Sequence, residues 1–335
     1  MPSAEIPKFI FDDLIHWQIK VGRYTNGQTR DILRLLLASE REIEVAIVKA
    51  GRTSFTARRL RALLAEIRTI NRAVYSSARD QLAREMMAFA ARAAEQATGV
   101  LSDQLPVKWS PVGLSDTQLA AIVNTTPISI SGSSKLLVSE IFAKVAAGRE
   151  SAIIGAVRLG MSQGESVHQI VNRMPWDVSR REMTNLVHSV VQHTNNEACA
   201  ATLAVNSEVL NGWIYVATLD SRTCPLCWSQ SGKQFPLGEG PIPIRHIKCR
   251  CFQAPAVKTW RELGLDIDEF PPAMRASANG PVRADISFDE WLRGQPAGVQ
   301  KDLLGPTRQK LFAEGGLKLD KFTDDSGRLL RLDQL

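Results

Sequence analysis

The sequence predicts a mainly α-helical chain with a small α+β module: an elongated helical body including one long helix, a Cys/His-rich module and a C-terminal docking tail. Three observations lead there. Apolar residues recur every three or four positions through most of the chain before Gly212. No proline or glycine interrupts that pattern between Phe55 and Gly99. The period then changes at Gly212, just ahead of a stretch that holds four of the five cysteines.

Phe11, Leu14, Ile15 and Val21, followed by Ile32, Leu35 and Leu36, predict two helices broken at Asn26-Gly27. From Leu60 through Ile67, Val74, Leu82 and Phe89 to Ala93 the spacing predicts one helix of about forty residues, with Ser54 as a candidate cap. Pro106, Pro111, Gly113 and the run from Thr125 to Ser134 mark residues 100–134 as a loop-rich crossover. Short helices are predicted over Leu136 to Ala147, Arg149 to Met161 and Val167 to Met174, and a longer one from a Ser179 cap to about Asn206. Trp213 to Thr218 is aromatic and β-branched and reads as a strand; Phe235 and Phe252 to Val257 are candidates for two more. These elements divide the chain into an N-terminal helical region (1–134), a second helical part (135–210), the Cys/His module (211–257), a linker (258–282) and a tail (283–335) whose Phe288, Trp291, Leu292, Phe312 and Phe322 are expected to dock on the body or on a neighbour.

The 335 residues suffice for two or three domains. No apolar run reaches the roughly 18 residues needed to span a bilayer, and the N-terminus lacks the pattern of a cleaved signal, which predicts a protein made and kept in a cytosol. There the clustered cysteines read as thiols or metal ligands rather than a disulfide framework. The net charge of +6 is equalled by the segment 52–84 alone, where Arg52, Arg58, Arg59, Arg61, Arg68, Arg72, Arg79 and Arg84 face only Glu66 and Asp80. An acidic partner is implied: duplex DNA, whose phosphates arginines neutralise, or an acidic protein surface. A solvated helical face is the plain alternative.

Cys224 and Cys227 form a C-x-x-C whose Pro225 favours a tight turn, and His246, Cys249 and Cys251 supply a second arm. Four of these five would complete a structural zinc site, with metal binding stabilising a segment poor in apolar residues. Free thiols or a disulfide are the alternatives. Asp220, Arg222 and Arg250 read as groups that hold the two arms together, with Arg250 pairing Asp220. Asp220 and His246 also admit a reading as a metal-dependent nuclease or toxin-like effector, but cysteine ligands that close the coordination sphere leave no place for water. His16, His168, His188 and His193 read as packing or surface residues and Cys199 as a small apolar one. No phosphate-binding glycine loop, nucleophile elbow or H-E-x-x-H occurs, so nothing positive supports an enzyme.

The order Trp213, Asp220-x-Arg222-x-Cys224-x-x-Cys227, Gly232, Phe235, Pro243, His246-x-x-Cys249-Arg250-Cys251 and Pro255 resembles the Mu F-like family of phage minor head proteins, the head morphogenesis family. The glycine-containing turn and short helix from Gly160 to Met174 and the pair Thr194 and Asn195 fit it too, and the resemblance covers roughly 135 to 257. Where the family commonly has Glu after the helix Thr and Pro after the His, this chain has Asn195 and Ile247. The resemblance implies a non-enzymatic protein of the tailed-phage virion, assembled in the host cytoplasm. It further implies association with portal or major capsid protein at the portal vertex or capsid interior, and contact with packaged double-stranded DNA that assists packaging or ejection. Neither a membrane nor a small-molecule substrate is implied.

Overall fold

The structure of the protein, a computed structural model, describes residues 9–51, 56–105, 108–131, 134–266, 274–283, 286–324 and 328–335. Its architecture is the mainly α one with a small β module that the periodicity predicts. Two long helices, α1 (Phe9–Gly51) and α2 (Ala57–Gln104), run antiparallel and pack together against α6 (Trp176–Val205). α3 (Asp116–Asn124) and α4 (Val138–Ser162) lie on α2, and α5 (Val167–Asn172) closes on α1 and α4.

α1 is continuous across Asn26-Gly27, where the sequence predicts a break. A helical glycine costs about 1 kcal/mol, and the packing on either side of Gly27 outweighs it. Tyr24 stacks on Phe89 with ring centroids 4.7 Å apart, and both Tyr24 and Gln28 hydrogen-bond the Glu85 carboxylate, at 3.1 and 3.2 Å. The cap of α2 is Thr56, which accepts from the Arg59 amide at 3.3 Å; Ser54 and Arg52 lie outside the described residues.

Three further elements differ from expectation. The crossover 100–134 contains α3, started by a capping box between Ser115 and Gln118, and a short hairpin of β1 (Ile128–Ser131) and β2 (Ser134–Leu136). The two helices predicted over 136–161 are one, because Gly148 continues the turn and Arg149 beside it is buried, donating to Asn71 at 3.0 Å and Ser39 at 3.1 Å between the rings of Tyr75 and Trp176. Ser179 does not cap α6 but sits inside its first turn and bonds the Pro175 carbonyl at 3.2 Å.

After α6 the chain enters a three-stranded antiparallel sheet in the order β4-β3-β5, with β3 at Leu210–Val216, β4 at Gln234–Phe235 and β5 at Phe252–Val257. Gly212 has φ +134° and lies against the Phe235 carbonyl, which a Cβ would meet at 2.1 Å, so only glycine fits this register. The stretch read as a linker holds a hairpin, β6 (Met274–Ser277) with β7 (Gly280–Arg283), joined to the end of β3's extension by the Ala278 amide on the Leu219 carbonyl at 2.8 Å. The tail forms α8 (Phe288–Arg293), α9 (Ala297–Leu304) and α10 (Pro306–Ala313). Its core of Phe288, Trp291, Leu292, Leu304, Phe312 and Phe322 is completed by Leu219 and Trp228 of the Cys/His module. Among the described residues no helix is long and apolar enough to cross a membrane.

Candidate metal centre

Strand β3 delivers the first arm. Beyond Val216 the chain turns at Asp220, and Cys224 takes the cap position of a one-turn helix, α7 (Pro225–Trp228), with Pro225 first inside it. The amides of Cys227 and Trp228 both bond the Cys224 carbonyl at 3.0 Å, so the turn brings the two thiols to the same side. The second arm turns at His246, whose carbonyl accepts from the Cys249 amide at 3.2 Å, with Lys248 in the left-handed region at φ 65°. That arm is fixed to α6: Ser189 accepts from the Lys248 amide at 3.1 Å, and Asn196 donates to the Cys251 carbonyl at 3.1 Å.

All five sequence-predicted ligands converge. His246 Nε2 lies 3.2 Å from both Cys224 Sγ and Cys227 Sγ, and Cys227 Sγ lies 3.7 Å from Cys249 Sγ. They form two triads, Cys224–Cys227–His246 and Cys227–Cys249–Cys251, with Cys227 common to both. Cys227, Cys249 and Cys251 are buried. Tetrahedral zinc with bonds near 2.3 Å to sulfur and 2.0–2.1 Å to nitrogen has ligand-to-ligand edges of about 3.5 to 3.8 Å, and the observed separations are close to that. The donor set of soft thiolates and one imidazole suits zinc.

The electrostatics of the cluster divide its thiols: Cys224 and Cys249 favour the thiolate, whereas Cys227 and Cys251 hold their protons. Hydrogen bonds from Cys227 and His246 draw the Cys224 thiol down to about 4 against desolvation, and the bonds to Cys224 and Cys249 push the His246 imidazole up to about 10. Cys249 lies well below an ordinary thiol, chiefly through the hydrogen bond from Cys227, whose own proton is held by donating to Cys224 and Cys249. The Tyr215 hydroxyl, 3.5 Å from Cys227 Sγ, is a neighbour that the sequence reading missed; its place two residues after Trp213 on a strand leading to the cluster is the only signal of it.

Asp220 does not join the thiols. Arg250 grips its two oxygens at 2.7 and 2.8 Å, and Arg222 adds its backbone amide at 3.0 Å and its guanidinium at 3.2 Å. Desolvation alone would raise this carboxyl; the bonds and charge of Arg250, then Arg222, outweigh it and lower the group to about 2. A carboxylate so held, with His246 engaged by two thiols, is a poor general base, and the nuclease reading gains no support from the geometry.

The arginines of α2 are further away. Arg68 and Arg72 reach Glu150 of α4 at 3.2 and 4.0 Å, and Arg79 reaches Asp80 at 2.8 Å. Arg58, Arg59, Arg61 and Arg84 are exposed.

Comparison with known proteins gives a family match. Residues 151–254, from within α4 to β5, match the family described as Phage Mu protein F like protein. No curated protein matches the chain, and no solved structure does. The match spans α6, which holds the second cysteine arm, and all five candidate ligands. It supports a role in phage head morphogenesis and a place in the virion. Over these residues the chain carries the Mu F-like domain of phage head morphogenesis proteins.

Proposed function

We propose that the protein is a minor capsid protein that binds portal or major capsid protein at the portal vertex or capsid interior and touches packaged duplex DNA. The observation that carries this reading is the Cys/His cluster, which lies inside the family-matched segment and joins α6, the small sheet and the tail. Cys224, Cys227, His246 and Cys249 would hold one zinc ion, with Cys251 beside them able to replace His246. The ion would supply folding energy to a module whose loop from Trp228 to Arg245 has few apolar side chains. It would have no catalytic part.

The α2 arginines support DNA contact through the exposed Arg58 and Arg61 more than through Arg68 and Arg72, because Glu150 already offsets the latter two. Locating the protein in intact and DNA-emptied particles tests the proposal. Recovery with the head or portal fraction is expected, and its absence from particles would overturn the reading. For the DNA contact, duplex binding should weaken with salt and fall on reversal of Arg58 and Arg61; insensitivity to both would remove it.

A further inference from the structure

The outer face of α1 carries a pattern that the head protein reading does not use. At 100° per residue, Ile19, Arg23, Arg30, Arg34, Leu37, Arg41, Val45 and Val48 fall within about 80° of one another, opposite the buried Val21, Ile32, Leu36, Ile43 and Ile47. The stripe is about 44 Å long. Its four arginines are exposed, and its four aliphatics are 46% (Ile19), 37% (Leu37), 65% (Val45) and 42% (Val48) exposed. Isolated exposed aliphatics need no explanation, but these share one line with the four arginines, so the face offers apolar contact and positive charge together along one helix.

The charge on the stripe selects the occupant. Asp31 pairs Arg34 from one side at 2.9 Å, and Glu44 lies at the other edge, accepting from Trp176 at 3.0 Å; within the stripe itself every charged side chain is an arginine. A second copy of α1 laid across it would set one four-arginine stripe against another, like charge against like, which is unfavourable. A nucleic acid would use the arginines and gain nothing from the aliphatics. We infer that the α1 stripe is a docking face for an acidic amphipathic helix of another protein. Its aliphatic side chains would fill the gaps around Leu37, Val45 and Val48, and its carboxylates would meet Arg23, Arg30, Arg34 and Arg41. The inference deepens the proposed function, since it rests on the chain working inside a protein assembly.

The test uses the purified full chain and a fluorescent helical peptide with leucine at the a and d positions of its heptads and glutamate at e and g, followed by anisotropy. Saturable binding is expected. Leu37→Glu alone, Val48→Glu alone and the triple change Arg23→Glu, Arg30→Glu, Arg41→Glu should each weaken it about tenfold or more. All these positions face solvent, so thermal melts close to the wild type's are expected. Failure of the peptide to bind, or indifference to Leu37→Glu and Val48→Glu, overturns the proposal. So does duplex DNA that competes fully and is released by the arginine changes but not by the two aliphatic ones. Particle incorporation separates this from the wider reading. Wild-type chain and triple variant recovered equally in particles sinks the docking face and leaves the head role standing. Wild-type chain missing from particles sinks the head role, while the peptide measurement still decides the face.

Discussion

Arg250 holds Asp220 through both terminal guanidinium nitrogens, at 2.7 and 2.8 Å, and so ties the second cysteine arm to the turn that presents the first. The side chains are 28% and 14% exposed. Removing Arg250 leaves the partly buried Asp220 with only Arg222 and Thr223 to offset its charge. Arg250→Ala is expected to cost about 2 kcal/mol in urea unfolding at neutral pH, and Arg250→Lys somewhat less because one donor point replaces a fork. Arg222→Ala, whose guanidinium is 78% exposed, should change stability little.

Cys227 belongs to both triads of the cluster. Cys227→Ser should therefore abolish metal binding, whereas Cys251→Ser should leave about one zinc per chain by elemental analysis, bound by the remaining four. If Cys251→Ser empties the site and His246→Ala does not, the ligand set is the four cysteines. Chelation of the wild-type protein should lower its melting temperature, and a protein unchanged by chelation would remove the metal from the account.

His193 and Glu197 lie on one face of α6 with Nδ1 and Oε1 3.8 Å apart, both desolvated. Burial lowers His193 to about 4 from 6.5, against the hydrogen bond to the Thr126 carbonyl. Burial raises Glu197 to about 7 from 4.5, against the charge of Lys135. The neutral histidine stabilises the fold above pH 6.5, and this is lost as pH falls to 4. The protonated glutamate stabilises it below pH 4.5, and this is lost as pH rises through 7. Each limb is worth at most on the order of 3 kcal/mol. Denaturation measured from pH 4 to 8 should show His193→Gln flattening the acid limb and Glu197→Gln the alkaline one.

Trp228 stacks on Phe288 with centroids 6.3 Å apart and is 3% exposed. It follows Cys227 directly, so the turn that aims the ligand also aims the anchor of the tail. Phe288→Ala should cost about 3 to 5 kcal/mol of tail docking. Limited proteolysis should then cut between Asp266 and Ile286 at a rate well above wild type, with the helical body intact. An unchanged cleavage rate would show that the tail is held by other contacts.

The elements legible in the sequence are those whose cause is local. C-x-x-C with Pro225 encodes its own turn, the uninterrupted run from Leu60 to Ala93 encodes α2, and the composition of 213–218 encodes a strand. What escaped depends on residues far apart. Gly27 stays helical because Glu85 and Phe89 of another helix secure Tyr24 and Gln28. Arg149 is buried because Ser39 and Asn71 wait for it. Similarly, the second cysteine arm is steadied by Ser189 and Asn196 of α6, whose sequence surroundings give no sign of that duty.

The unbroken length of α2 has a mechanical consequence. Its 48 residues extend about 72 Å. Near Arg58 it is clamped by α1 and α4, and its far end, around Val100 and Leu101, lies by Leu203 and Phe252 next to the cysteine arms. Paired with α1 along most of its length, such a rod transmits a push rather than absorbing it. The Arg58 end and the cysteine arms thus sit some 60 Å apart along one continuous helix, and α6, which packs on α2 and holds the second arm, joins them into one body.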